Sequence, residues 1–246
     1  MISSSSIPYA LGALVLYGLA DFVYKRGAAA GALPHQFLMV QTWFFSPLAL
    51  IYGLTSGTLS FTTGAVWGAA AGVLVVIGYY NFAWSLRHGA VSTNATIFRL
   101  SFIVTSALAV LVLGEALTAA KIAGMALALF AVWLLVAAPV TGNAEANQQR
   151  NALATTFAAY VDRGIRLSRA ALMHAPISAT LLVVAFTFLA KGLERGDASV
   201  VVPIAQMGFV VSAFLGFIFL RERLTARRLG GLAVALLALG TLAWAA

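Results

Sequence analysis

The stretch Leu86–Ala126, LRHGAVSTNATIFRLSFIVTSALAVLVLGEALTAAKIAGMA, occurs twice in this chain. Its second copy, Leu193–Ala233, is LERGDASVVVPIAQMGFVVSAFLGFIFLRERLTARRLGGLA and follows 107 positions later without a gap. Fourteen of the 41 paired positions are identical, and they include residues that a shared apolar composition would not align: Gly89, Ser92, Glu115, Thr118 and Gly124. Internal repeats in an apolar chain are typical of transporters and channels built by duplication.

The composition indicates a polytopic membrane protein. Of the 246 residues, 62% are hydrophobic and 9% are charged, whereas a soluble domain has about 25% charged and roughly 45–50% apolar residues. A soluble fold would have too few polar side chains here to cover its surface. The net charge of +8 is therefore explained by Lys and Arg side chains in cytoplasmic loops and at lipid headgroups, and it does not indicate a nucleic-acid partner.

No motif for soluble-type catalysis or cofactor binding is present in the sequence. It contains no P-loop and no dinucleotide-binding glycine fingerprint after a strand. It has no cysteine, which excludes disulfides and zinc–thiolate sites. The three histidines, His35, His88 and His174, are scattered without metal-ligand spacing. We therefore expect a protein that is not an enzyme and that holds no metal or cofactor.

Eight runs of the sequence are long and apolar enough to cross a membrane, which takes about 20 residues of helix. The runs are continuous rather than ten-residue alternations, which favours helices over a β-barrel. We therefore predict an all-α bundle with about eight transmembrane helices. The predicted spans are 7–24, 37–54, 64–86, 91–113, 120–138, 175–193, 199–220 and 226–245.

The segment 141–174 does not fit a spanning helix. It begins with the polar residues TGNAEANQQRN, and 152–172 then carries charges beside an apolar helical face: Asp162, Arg163, Arg166 and Arg169. Spanning would place several charges in hydrocarbon at roughly 2.5–3.5 kcal/mol each, so an interfacial helix is favoured over a ninth span. The predicted organisation is a first repeat of five spans in 7–138, this linker, and a second repeat of three spans in 175–246.

The number of spans sets the relative orientation of the two copies. The copies begin in the third and sixth helices, and this odd offset makes them antiparallel, which is an inverted-topology repeat. Lys and Arg concentrate in the odd-numbered loops, with eleven there against three in the even-numbered loops. The positive-inside rule then places the odd loops in the cytoplasm and both termini outside.

Arg99 is a charged residue in the middle of the fourth predicted span, where it must face protein or a water-filled cavity. Its repeat partner is Gln206, so an inverted repeat places the two at equivalent depth near the membrane midplane. Ser106 shares the helical face of Arg99. One interpretation is a polar stripe that binds substrate, with Arg99 pairing an anionic group. The alternative is a structural Arg99 that pairs with Asp21 or with backbone carbonyls.

Two further residues are candidates for the substrate site. Asp21, within the first helix, is either a proton-coupling carboxylate or half of an i,i+4 ion pair with Lys25. Tyr80, near the end of the third helix, belongs either to an aromatic rim for substrate or to an interfacial belt. Glu115 and Glu222 occupy the same repeat position in charged turns, and we interpret them as capping residues. The predicted substrate-binding set is Arg99, Gln206, Ser106, Tyr80 and Asp21.

Each copy has the same order of elements: a charged turn with Gly and Ser, a long apolar helix, a Glu before Leu-Thr, and a last helix that contains glycine. In the first copy these are RHGAVS, GEALT and a later glycine (Arg87–Ser92, Gly114–Thr118 and Gly124). In the second they are RGDAS, ERLT and a later glycine (Arg195–Ser199, Glu222–Thr225 and Gly231). This pattern resembles the EamA-type domain of the drug/metabolite transporter superfamily, over most of 7–138 and 175–245.

The resemblance implies a secondary transporter that moves a small metabolite or drug-like solute by alternating access, more often outward, in the bacterial inner membrane. It implies ten helices in two inverted repeats, with both termini in the cytoplasm, opposite to the charge count. The second copy here lacks counterparts of helices one and two. The alternative is therefore a truncated, non-transporting membrane protein or a partner subunit of a larger carrier. The expected partners are membrane lipid and a small-molecule substrate, and a homodimer could form through the face of Gly64, Gly68 and Gly72.

Overall fold

A computed structural model of the chain describes residues 6–59, 62–88, 91–136, 167–221 and 225–245. These residues form ten helices. The helices are α1 (Ser6–Ala29), α2 (Pro34–Thr55), α3 (Thr63–His88), α4 (Val91–Phe98), α5 (Ser101–Leu113), α6 (Ala119–Val136), α7 (Arg169–Leu193), α8 (Ala198–Gln206), α9 (Phe209–Leu220) and α10 (Ala226–Trp244).

The predicted all-α membrane bundle is confirmed, because the described helices include eight that are long and apolar enough to cross a membrane. Two of these eight spans are each built from two shorter helices joined by a short break: α4 with α5, and α8 with α9. Helix α7 begins at Arg169, six residues before the predicted start of the sixth span. The remainder of the predicted interfacial helix, 152–166, lies outside the described residues.

Two spans that the sequence predicts as continuous are broken at nearly the same repeat position. The first break lies at Arg99 and Leu100, where the amide of Leu100 donates to the carbonyl of Ile97 at 3.1 Å. In the second, the amide of Met207 is shared between the carbonyls of Ile204 and Pro203, each at 3.1 Å. Such bonds to the third residue back are those of a 3₁₀ turn, which tightens the chain locally. Hydropathy averaged over each run does not show this, because both runs stay apolar enough to span despite Arg99 and Gln206 at the breaks.

The structure divides into two compact units. The first contains residues 1–22, 89–138 and 184–246, so it holds the second copy of the repeated stretch and all of the first copy except residues 86–88. Within it, α4 packs on α9 and α5 packs on α8. The first half of one broken span thus lies beside the second half of the other, which is the arrangement of antiparallel copies. The inverted repeat that the span count predicts is therefore present.

The last helices of the two copies, α6 and α10, pack against each other by a reciprocal contact. A Cβ added at Gly124 would lie 2.6 Å from Cγ of Leu242, and one added at Gly231 would lie 2.9 Å from Cγ of Leu135. The two glycines are repeat partners, and so are the two leucines. Each copy therefore presents the same glycine to the same leucine of the other copy, which is the signature of a two-fold relation. Small residues allow this close approach in a membrane, where helices gain little from the hydrophobic effect.

The second unit contains residues 23–88 and 139–183. Its described core is built around Tyr24, which donates a hydrogen bond to Gln41 and stacks on Phe37 at a ring separation of 4.4 Å. Gln41 in turn donates to the hydroxyl of Ser178 at 3.2 Å. The outer part of α3 is exposed, and a Cβ added at Gly68 would meet no described atom within 4 Å. The predicted use of this glycine face in a homodimer stays a prediction.

The reciprocal glycine contact gives a test of the two-fold packing. We expect Gly124→Ala and Gly231→Ala each to lower the free energy of unfolding by roughly 1–3 kcal/mol, because the new methyl group overpacks the contact. Thermal unfolding of the detergent-solubilised protein measures the effect. Gly230→Ala is the matched control, since a Cβ there meets nothing within 4 Å. Equal melting temperatures for the Gly230 and Gly231 variants would contradict the packing.

Candidate functional site

The centre of the first unit is a buried ion pair between α1 and the first broken span. The Arg99 guanidinium contacts both carboxylate oxygens of Asp21, with Nη2 2.8 Å from Oδ1 and Nε 3.3 Å from Oδ2. Asp21 is fully buried and Arg99 is 2% exposed. This two-point geometry fits the planar fork of arginine to a carboxylate. The pair therefore satisfies both charges away from water.

The same guanidinium joins the two copies of the repeat. Nη1 of Arg99 donates to Oε1 of Gln206 at 3.0 Å, and the two residues are 107 positions apart. Arg99 lies at the break between α4 and α5, and Gln206 is the last residue of α8. The contact between repeat partners therefore occurs where both spans are interrupted.

Tyr17 provides a third contact to the guanidinium. Cζ of Arg99 lies 4.5 Å from the centroid of the Tyr17 ring, which is a cation–π distance. Tyr17 precedes Asp21 by one helical turn, so α1 presents both side chains on one face. Phe186 supports the ring in an edge contact, with centroids 5.6 Å apart. The sequence analysis did not select Tyr17, although its spacing from Asp21 was a signal.

Two glycines permit the close approach of α1 to this region. A Cβ added at Gly18 would collide with the backbone carbonyl of Gly208 and with Val211. A Cβ added at Gly208 would lie 2.9 Å from the amide nitrogen of Gly18 and 2.9 Å from the carbonyl of Leu14. Neither backbone can move away cheaply, since both belong to spanning helices. The position of Asp21 beside Arg99 therefore depends on glycine at both positions, which the sequence analysis also missed.

The structure brings together three of the five predicted site residues: Asp21, Arg99 and Gln206. Ser106 lies on α5, two turns beyond Arg99, and is buried with no hydrogen-bond partner for its hydroxyl among the described residues. Tyr80 belongs to the second unit, where it is buried near the end of α3.

The predicted contact of Arg99 with Asp21 is present. Lys25, the other suggested partner of Asp21, donates to the carbonyl of Leu86 at 2.8 Å.

The arrangement combines opposite charges with a neutral amide in a buried place. The ion pair is neutral as a unit, so it is stable without solvent as long as it remains closed. Separating the two charges without a replacement partner would be costly in a membrane interior. A group that takes the place of either partner would compensate for that cost.

Comparison with known proteins supports the organisation into two repeats. The sequence model of the EamA-like transporter family matches residues 4–137 and again residues 152–244. The second match begins inside the segment that the sequence analysis assigns to the linker. An uncharacterized protein of Methanocaldococcus jannaschii is 38% identical over 61 residues, which cover 25% of this chain and 44% of that protein. The chain thus matches less than half the length of this relative, and no solved structure matches it.

The buried ion pair predicts strong and non-additive effects of substitution. We expect Asp21→Asn and Arg99→Gln each to destabilise the protein by roughly 3–5 kcal/mol, because each leaves one buried charge without its partner. The double variant should lose much less than the sum of the two, since it leaves no such charge. Thermal unfolding in detergent of the four proteins of this cycle measures the coupling.

The control for this cycle is Arg195→Gln. Arg195 forms a partly exposed ion pair with Glu194 at 3.6 Å, and such pairs contribute about 0–1 kcal/mol. Additive effects of the Asp21 and Arg99 substitutions would contradict the ion pair.

Proposed function

Because the chain belongs to the EamA-like transporter family, we propose that it is a secondary transporter that moves a small metabolite or drug-like solute by alternating access. The family and the eight membrane-crossing helices establish a multi-pass membrane protein of the drug/metabolite transporter type. The proposal adds the substrate class, the outward direction and the mechanism.

The observation that carries the proposal is the hydrogen bond between Arg99 and Gln206. It joins the same position of two inverted copies, and such positions lie on the two-fold axis near the midplane of the membrane. Transporters with inverted repeats bind substrate and coupling ions there, at interrupted helices. We propose Arg99 and Gln206 as the primary contacts for the solute, with Asp21 and Ser106 in supporting roles.

The ion pair suggests how binding could be coupled to movement. An anionic group of the solute replaces the Asp21 carboxylate on the Arg99 guanidinium. Asp21 then has no counter-ion in a nonpolar environment, and taking up a proton neutralises it. Release of the solute restores the ion pair and frees the proton on the same side, so the two move together and the solute gradient drives outward movement. In this exchange Asp21 acts as the proton-coupling carboxylate that the sequence analysis offers as one interpretation.

Movement in this mechanism is a rocking of the two copies against each other. The contact of Arg99 with Gln206 crosses between copies, so it breaks or reforms as the copies rock. The 3₁₀ turns at the two breaks are the places where the spans can bend, because their hydrogen bonds are weaker than those of an α-helix.

We propose the bacterial inner membrane as the location, with a homodimer as one form of the carrier.

The second candidate function is that of a non-transporting partner subunit of a larger carrier. The part of the chain that the structure describes favours it, since three helices long enough to span follow residue 166 and five precede residue 137. A carrier that lacked part of its cavity wall would require another chain to close it. A second polypeptide that co-purifies in constant ratio is the distinguishing observation.

Solute flux in proteoliposomes tests the proposed function. Metabolites that raise the melting temperature of the purified chain are selected first, and counterflow of the radiolabelled solute is then measured. We expect saturable flux that falls at least about tenfold in Arg99→Gln and Gln206→Ala, because each loses a contact at the solute site. Arg195→Gln should transport as the parent chain does.

Unchanged flux in Arg99→Gln would assign Arg99 a structural role only. Flux that appears only after a second polypeptide is added would instead support the partner-subunit function.

A further inference from the structure

Glu115 joins the two copies of the repeat at a second place, just beyond the end of α5. Its Oε1 accepts a hydrogen bond from the amide of Ala198 at 2.7 Å, and its Oε2 accepts one from the amide of Ser199 at 2.9 Å. These two amides begin α8, where unpaired backbone donors and the helix dipole favour a carboxylate. Glu115 therefore caps a helix, as its place in a charged turn predicts, and that helix belongs to the other copy. Its repeat partner, Glu222, lies outside the described residues.

Lys121 holds the residue before α8 against the same turn. Its Nζ lies 2.7 Å from Oδ2 of Asp197 and donates to the carbonyl of Ala116 at 3.0 Å. The side chain of Lys121 is 2% exposed, so the ammonium group is shielded from water and bound by these two oxygens. The turn that carries Glu115 is thus joined to the beginning of α8 by two amide hydrogen bonds and one ion pair.

Helix α8 is short and depends on this cap. It has nine residues, and isolated helices shorter than about 12–15 residues are marginal. Pro203, inside the helix, has no amide hydrogen and so removes one internal hydrogen bond. The third and fourth amides, of Val200 and Val201, donate to the carbonyl of Asp197 at 3.0 and 2.9 Å. Loss of Glu115 would leave the first two amides without the acceptor that the structure shows, which is unfavourable inside a membrane.

The other end of α8 carries Gln206, whose Oε1 accepts the hydrogen bond from Arg99 at 3.0 Å. Helix α8 packs against α5, and the two residues that hold its ends flank α5, with Arg99 before it and Glu115 after it. Every residue from Ser199 to Ala205 is buried, so packing fixes α8 laterally and the polar contacts at its ends fix its position along its axis. At 1.5 Å of rise per residue, about 12 Å separate these ends.

We propose that Glu115 is a positioning residue for the solute site, and that through α8 it holds the Gln206 amide at the depth of the Arg99 guanidinium. The inference rests on the proposed function for the role of Gln206 in binding solute. It adds the residue that sets where Gln206 lies. The coupling between the two ends of α8 is measurable without any solute.

A stability cycle between residues 115 and 206 tests this role. We expect Gln206→Ala to lower the melting temperature of the parent chain in detergent by roughly 2–4 °C, because Arg99 loses an acceptor. In the Glu115→Gln background the same substitution should have less than half of that effect. Glutamine has one acceptor oxygen where Glu115 has two, so α8 no longer holds the amide firmly against Arg99. Substitutions more than about 10 Å apart with no shared partner usually add, so non-additivity here reports transmission through α8.

Thr225→Ala is the matched control, because it also removes a helix cap. The Thr225 hydroxyl accepts a hydrogen bond from the amide of Arg228 at 3.3 Å, at the beginning of α10. Helix α10 does not carry Gln206. Gln206→Ala should therefore keep its full effect on the melting temperature in the Thr225→Ala background.

Ala198→Pro tests the same contact from the side of α8, and it replaces Glu115→Gln if that variant does not fold. Proline lacks the amide hydrogen that Glu115 accepts, yet it is favoured at the first position of a helix. Asp197, the residue before it, has the extended backbone (ψ 134°) that a following proline favours. We expect Ala198→Pro also to halve the effect of Gln206→Ala or reduce it further.

Equal effects of Gln206→Ala in the parent, Glu115→Gln and Ala198→Pro proteins would overturn the inference. So would an equally reduced effect in the Thr225→Ala background, since the coupling would then not be specific to α8. Absence of solute flux in the parent chain would instead contradict the proposed function, and it would leave the measured coupling between the ends of α8 unchanged.

Discussion

The ion pair between Asp21 and Arg99 is the interaction on which the rest of the first unit depends. Either charge alone would be expensive inside a membrane, so α1 must bring its carboxylate to the break in the first repeat. That requirement explains the glycines at 18 and 208, which remove the side chains that would hold the helices apart. It also explains the helix break at Arg99, where the guanidinium reaches Asp21 and Gln206 together.

Contacts between the copies show how such a bundle closes without a hydrophobic driving force between its helices. Lipid is as apolar as leucine, so helices in a membrane associate by close packing and by polar contacts. The first unit uses packing at α6 and α10, where each of two glycines contacts a leucine of the other copy. It uses polar contacts at its centre and at Glu115, which accepts hydrogen bonds from the amides of Ala198 and Ser199. Apolar side chains such as Trp67, 74% exposed on α3, remain on the outside as they do in a lipid-facing protein.

The sequence predicts the spans, the inversion and the equivalent depth of Arg99 and Gln206, and it leaves Asp21 as one of the alternative partners of Arg99. Spans follow from local hydropathy, inversion follows from the number of spans, and the two-fold relation then places repeat partners together. The glycine approach at 18 and 208, the ring of Tyr17 and the partners of Glu115 depend on which surfaces meet, and no local pattern records that. The same limit applies to Ser106, two turns from Arg99, and to Tyr80, which lies in the second unit. The role of the predicted set, Asp21, Arg99, Gln206, Ser106 and Tyr80, in binding solute stays a prediction.

The positions at which the two copies have different residues explain more of the site than the positions at which they are identical. A perfectly symmetric centre would place an arginine at both 99 and 206, and each would need its own carboxylate. Both carboxylate oxygens of Asp21 already bind Arg99. A second buried arginine would then have no counter-ion, whereas glutamine at 206 accepts a hydrogen bond from Arg99 and brings no charge. Gln206 therefore fits this centre: one carboxylate balances one guanidinium, and the amide keeps the two copies joined.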